Sequence, residues 1–157
     1  MKYVQRMLLV VLIVAGVTVG ASAQHTRRSE TLGVGVIVGS PATGLSAEYW
    51  LGGGVSVDAA IAWSFVGNTG LYIHGDILYH ILEEQMSFGP TLAPYVGGGA
   101  SITLADDANV ALRLPVGANM LFNSVPLGVF LEVVPNFTLL PSTGFDFGAA
   151  AGVRFYF

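Results

Sequence analysis

His74 and Asp76 stand two residues apart in "GLYIHGDILYH", Gly70 to His80. If this stretch is a β-strand, side chains two apart share a face, and His80 shares it as well. Imidazole and carboxylate on one face permit two chemistries. A hydroxyl brought to them, such as Ser64 near the same strand end, would complete a nucleophile, a base and an orienting acid. The same groups also have the N/O character of metal ligands. The spacing favours neither. His74 and His80 lie six residues apart, about 20 Å along a strand and too far to share an ion. The simpler expectation is that these groups belong to a buried polar network, with no catalytic residue, no metal and no cofactor.

Composition constrains the elements that would carry them. The chain of 157 residues is 53% hydrophobic and only 10% charged, against roughly 25% charged in soluble domains. So few charges cannot cover a water-soluble fold, and a membrane is the alternative. Only helices and closed barrels satisfy every backbone group in lipid. The single long apolar run is Met7 to Val19, preceded by Lys2 and Arg6 and followed by Ala21-Ser22-Ala23. That is the layout of a secretory signal peptide. Residues 1–23 are therefore expected to be cleaved before Gln24, leaving 24–30 as a short periplasmic lead-in and 31–157 as the barrel. Beyond the signal there is no run of about 20 apolar residues to make a spanning helix. Cysteine is absent, which excludes disulfides, thiolate metal sites and thiol nucleophiles. After residue 23 the only cations besides His are Arg27, Arg28, Arg113 and Arg154 against ten carboxylates, a net charge of −6. Nucleic acid is disfavoured as a partner.

Turn signals punctuate the rest: "GSPATG", "LGGG", "VGNTG", "EEQMSFGP", "ADDAN", "NSVP" and "LPSTG". Seven connections imply eight strands. Between them the sequence alternates with period two. Val57, Ala59, Ile61 and Trp63 interleave with Ser56, Asp58, Ala62 and Ser64. Val129, Leu131 and Val133 interleave with Phe130, Glu132 and Val134. Pro94, Pro115 and Pro135 fall inside strands, where bulges or strand ends are expected. The Gly-rich first and fifth strands leave their register open.

Alternation also fits a soluble barrel with an apolar inside. Two features choose against it. The polar face is crowded with Gly, Ala and Ser, as a narrow lumen requires. The strands also run to eleven residues or more, enough when tilted to span an apolar band of about 25 Å. The predicted fold is an all-β, eight-stranded antiparallel transmembrane up-and-down β-barrel. With both termini in the periplasm, Tyr49, Tyr79, Phe122, Phe155 and Phe157 form one outward aromatic girdle. Trp63, Phe65, Phe137, Phe145 and Phe147 form the other. The inward polar set is Glu48, Asp58, His74, Asp76, His80, Arg113, Glu132, Asp146 and Arg154, with Tyr72, Tyr95 and Tyr156, a network expected to plug the lumen.

The ending Gly152-x-x-Phe155-x-Phe157 resembles the C-terminal assembly signal of bacterial outer-membrane barrels, although Ala150 stands where that signal is often polar. The whole mature chain resembles the small eight-stranded barrels typified by the OmpA membrane domain and OmpX. That resemblance implies the outer membrane of a Gram-negative-type bacterium, a monomer, and lipid and the barrel insertion machinery as partners. One family member is a lipid A acyltransferase, but none of its motifs is visible here. The expected outer turns are short, which disfavours an adhesin. The expected function is non-enzymatic, a structural or membrane-integrity role. Cell-surface interaction, and a narrow channel or small-ligand carrier, are the alternatives, with a lipid-modifying enzyme last.

Overall fold

The computed structural model describes residues 31–65, 69–81, 84–85, 89–122 and 124–157. The expected signal peptide, 1–23, and lead-in, 24–30, lie outside them. The described residues form strands β1 (Leu32–Ser40), β2 (Ala42–Gly52), β3 (Val55–Ser64), β4 (Gly70–His80), β5 (Glu84–Gln85), β6 (Thr91–Leu104), β7 (Asn109–Arg113), β8 (Val116–Leu121), β9 (Leu127–Leu140) and β10 (Gly144–Tyr156). All pairings are antiparallel, between chain neighbours except that β4 pairs with β6 and that β7 and β8 each pair with β6 and β9. β10 returns to pair with β1, from Gly33 opposite Tyr156 to Ser40 opposite Ala149, which closes the sheet. β7 and β8 are two halves of one stave between β6 and β9. The barrel therefore has eight staves. β5 is a short addition to β6 inside the connection after β4.

Burial follows the alternation. On β3, Ser56, Asp58, Ala60, Ala62 and Ser64 are buried while Val57, Ala59, Ile61 and Trp63 are exposed. β4 and β9 repeat the pattern. The register of the two Gly-rich strands is now defined. Leu32, Val34, Val36 and Val38 point out on β1, and Ala93, Tyr95, Ser101 and Thr103 point in on β6. Of the ten girdle aromatics, nine are exposed, and Phe122 just beyond β8 is half-buried.

The prolines depart from expectation in an instructive way. Neither Pro94 nor Pro135 sits at a bulge or a strand end. Pro94 stays in register opposite Ala118, and Pro135 opposite Phe147. The stave breaks only at Leu114–Pro115. In an antiparallel ladder a residue's N–H and C=O point to the same neighbour. The carbonyls of Pro94, Pro115 and Pro135 accept from Ile81, Gly97 and Leu114 respectively. The missing N–H groups therefore cost one bond each at the end of β4 and around Leu114–Pro115, and the remaining ladder holds the chain in phase. Bulge-type register shifts lie elsewhere, at Trp50/Gly52 and Val110/Ala111. The first leads into Gly52-Gly53-Gly54, whose φ angles of 93°, 63° and 78° only glycine adopts without strain.

The turns at the end away from the termini are short. Pro41 alone joins β1 to β2, and residues 141–143 join β9 to β10. β9 and β10 also rise above β1, because Ser40 pairs only as far as Ala149.

Candidate functional site

The polar groups follow one lateral row of the sheet. Glu48, Asp58, Asp76, Gly99, Arg113, Asn136 and Asp146 occupy successive staves from β2 to β10, each opposite the next. Because the staves of a barrel are tilted, this row climbs from the end holding the termini to the far mouth. Three carboxylates stand directly opposite one another at its lower end. Like charges so placed repel, so cations must reach them.

Two arginines do. Arg154 bonds Ser46, at 2.9 Å from Nε, Glu48 at 3.2 Å, and Asp58. Arg113 Nε donates to Asp76 at 3.0 Å, Nη2 to Glu132 at 3.3 Å and Nη1 to Tyr72. Each guanidinium thus ties carboxylates on two staves. Tyr156 Oη donates to Glu48 at 2.7 Å, and Tyr95 Oη to Glu132 at 2.9 Å. Ser56 and Asn119 complete the ring around Glu48. Phe130 lies beneath the Arg154 guanidinium, 3.9 Å from its ring centre, a cation–π contact that offsets part of the desolvation of the charge.

Glycines make these reaches possible. In one row Tyr156, Gly33 and Glu48 sit on adjacent staves, and the phenol crosses the glycine to reach the carboxylate. Tyr95 crosses Gly117 to Glu132 in the same way. Asp76 crosses Gly99 to Arg113, and Arg154 crosses Gly35 to Ser46. A Cβ at Gly33 would lie 2.9 Å from Tyr156 Cζ, one at Gly117 2.7 Å from Tyr95 Oη, and one at Gly99 against the Asp76 carboxylate. Phe130 crosses Gly152 to Ile37 in the apolar version of the arrangement. Gly152, read from the sequence as part of an assembly signal, thus has a packing duty of its own.

Of the nine lumen residues singled out in the sequence, eight are buried and joined in this network: Glu48, Asp58, His74, Asp76, His80, Arg113, Glu132 and Arg154. Asp146 stands apart from the buried eight. It lies on the inward side of β10 but is exposed at the open mouth, bonded to Asn136 Nδ2 at 3.0 Å. β10 extends beyond β1 there, so no stave covers that carboxylate. The sequence placed Tyr95 and Tyr156 inward beside the acids, but it did not flag Asn119 and Asn136 as their partners. Their inward phase on the alternating strands was the available signal.

The histidines stay apart. His74 Nε2 lies 3.0 Å from Asp58 Oδ1 and 3.9 Å from Asp76 Oδ2. Its Nδ1 is buried without a hydrogen-bond partner among the described residues. His80 stacks on Trp50, with ring centres 4.1 Å apart, near the end holding the termini. A Ser-His-Asp set does not form. His74 is opposite Ala60, and Ser64 lies four residues further along β3, about 13 Å away. Asp58, His74 and Asp76 do bring ligand atoms within 4.8 Å of one another, a different trio from the one the sequence suggested. Both carboxylates are already held by guanidinium groups, which a metal ion would have to displace.

The lumen is therefore layered. Near the termini it is filled by Trp50, Leu78, Tyr95, Leu121, Phe130 and Tyr156, and in the middle by the ion-pair network. Towards the other mouth it opens into a cavity of about 270 Å³.

No protein-family model and no curated protein matches the chain. Among solved structures it is similar to the N-terminal β-barrel domain of Pseudomonas aeruginosa OprF, at 19% identity and a TM-score of 0.57, over 82% of this chain and 96% of that one. The two share the closed eight-stranded barrel fold.

Proposed function

We propose that this chain is a non-enzymatic bacterial outer-membrane β-barrel whose lumen is stoppered by its own side chains and whose role is structural, in the integrity of the membrane. The observation that carries this is the inverted apolarity of the barrel. The ion pairs of the staves are buried inside, while Leu45, Ile61, Ile77 and Leu131 on different staves are each 60–65% exposed. In water such a belt would far exceed the few hundred Å² of apolar patch that soluble monomers tolerate. Against hydrocarbon it is the matching surface, and ring closure leaves no unpaired sheet edge within the band. The fold shared with the OprF domain agrees with an outer-membrane location.

In this reading the partners are outer-membrane lipid and the machinery that inserts barrels, and the protein acts as a single copy. The short far-side turns offer little surface for a protein ligand, and the buried aromatic and ionic layers support a stoppered lumen. Expression with its leader, followed by membrane fractionation, tests the location. The protein is expected in the outer membrane, beginning at Gln24 and migrating faster on a gel before boiling than after. An intact Met1 in the inner membrane would overturn the reading.

A further inference from the structure

The far third of the lumen contains none of the buried ion pairs that fill the middle. The cavity of about 270 Å³ is lined by hydroxyls from five staves: Ser40, Ser64, Tyr72, Ser101, Thr103 and Thr138. Asn109, Asn136 and Asp146 add amide and carboxylate groups, and Ala111 supplies an apolar wall. If the lumen served only as a stopper, these positions would be filled like the layers beneath them. Apart from Tyr72 they are short polar or alanine side chains around open space.

The chemistry of the lining narrows what fits. Arg113, below the floor, already bonds Asp76, Glu132 and Tyr72. Among the described residues no guanidinium lines the chamber, and Asp146 at the mouth repels an anion. Asn136 Nδ2 is committed to Val134 O at 3.1 Å and to Asp146 Oδ1 at 3.0 Å. The amide oxygen and the second carboxylate oxygen remain as acceptors. A calcium-type ion needs six or more oxygen ligands, several of them charged, and one carboxylate does not provide that. Hydroxyls that both donate and accept, beside an amide–carboxylate pair, match a molecule rich in hydroxyl groups. The volume is just below the usual lower bound of about 300 Å³ for drug-sized pockets.

We propose that this chamber is a binding site for a neutral polyhydroxylated solute the size of a monosaccharide. Only the side of the membrane on which it opens rests on the reading above; the binding itself does not. The site is open to water and, apart from Asp146, made of neutral hydrogen-bonding groups, so an affinity in the millimolar range is expected.

The test uses refolded protein in detergent micelles, where membrane location plays no part. The chain has no cysteine, so Ala111→Cys places a single thiol on the chamber wall and Ser142→Cys one on the outer turn. D-glucose at ten times its dissociation constant should slow methanethiosulfonate modification at Ala111→Cys about tenfold by mass action. It should leave Ser142→Cys unchanged. Gluconate, its anionic counterpart, should not protect, and Asn136→Leu should abolish the protection. On the unaltered protein, glucose should shift the amide resonances of Ser101, Thr103 and Asn136 but not those of Ser56 and Asn119. Absence of protection and of shifts up to the solubility of glucose, or equal protection by gluconate, would overturn the proposal. Failure to fractionate with the outer membrane would overturn the location and leave the binding result standing.

Discussion

Two arginines hold four buried carboxylates, and the loss of either side of this network is unequal. Arg113→Met would leave Asp76 and Glu132 without their cation, and breaking a buried pair this way costs roughly 3 to 5 kcal/mol. Asp76→Asn removes one charge from a lumen with an excess of acids and leaves Arg113 bonded to Glu132 and Tyr72, so its cost should be smaller. Urea unfolding in lipid vesicles measures both, and Asp76→Asn proving the more damaging would assign that carboxylate a task beyond ion pairing. The crossing glycines give a second comparison. Gly117→Ala puts a Cβ against the Leu131 carbonyl oxygen and 2.7 Å from Tyr95 Cζ, pressing on the β9 backbone as well as the phenol that crosses to Glu132, and should destabilise by about 1 to 3 kcal/mol. At Gly98 the nearest atom to an added Cβ is 3.9 Å away, so Gly98→Ala should stay within about 0.5 kcal/mol of the parent. Equal effects at the two glycines would mean that the crossings do not matter to stability.

At the scale of the strand, the face of each residue was legible in the sequence because alternation with period two survives even through proline. Depth and lateral neighbours were not. Asp146 has the inward phase of its strand, but whether it is covered depends on how far β1 climbs beside β10, which the one-residue Pro41 connection and the barrel shear decide. The crossings over Gly33, Gly35, Gly99 and Gly117 were equally hidden. Each depends on which residues three adjacent staves bring opposite one another, and the three-glycine turn and the shift at Trp50/Gly52 help set that register. A strand-level prediction follows from burial on β9. Leu131 is 65% exposed and its neighbour Phe130 1%. Leu131→Arg should cost about 2 to 4 kcal/mol in a bilayer, as a charge at mid-depth does. A value near zero for Leu131→Arg in vesicles would place that residue away from the lipid.

At the scale of the whole molecule, the described residues form a closed sheet with the ion-pair network inside, apolar surface outside and open space at one mouth. If the aromatic and ionic layers stopper the lumen as proposed, the purified barrel should be electrically silent in planar bilayers. A defined single-channel conductance would mean that the plug opens. The most direct test concerns which side of the sheet meets lipid. Single cysteines at residues 129 to 134, spin-labelled and refolded in vesicles, report collision with oxygen, which concentrates in lipid, and with a water-soluble nickel complex. Labels at Val129, Leu131 and Val133 should be accessible to oxygen and shielded from nickel, while those at Phe130, Glu132 and Val134 should be shielded from both. Nickel reaching the odd-numbered positions as readily as oxygen would show that the apolar face is in water, and would contradict the membrane barrel.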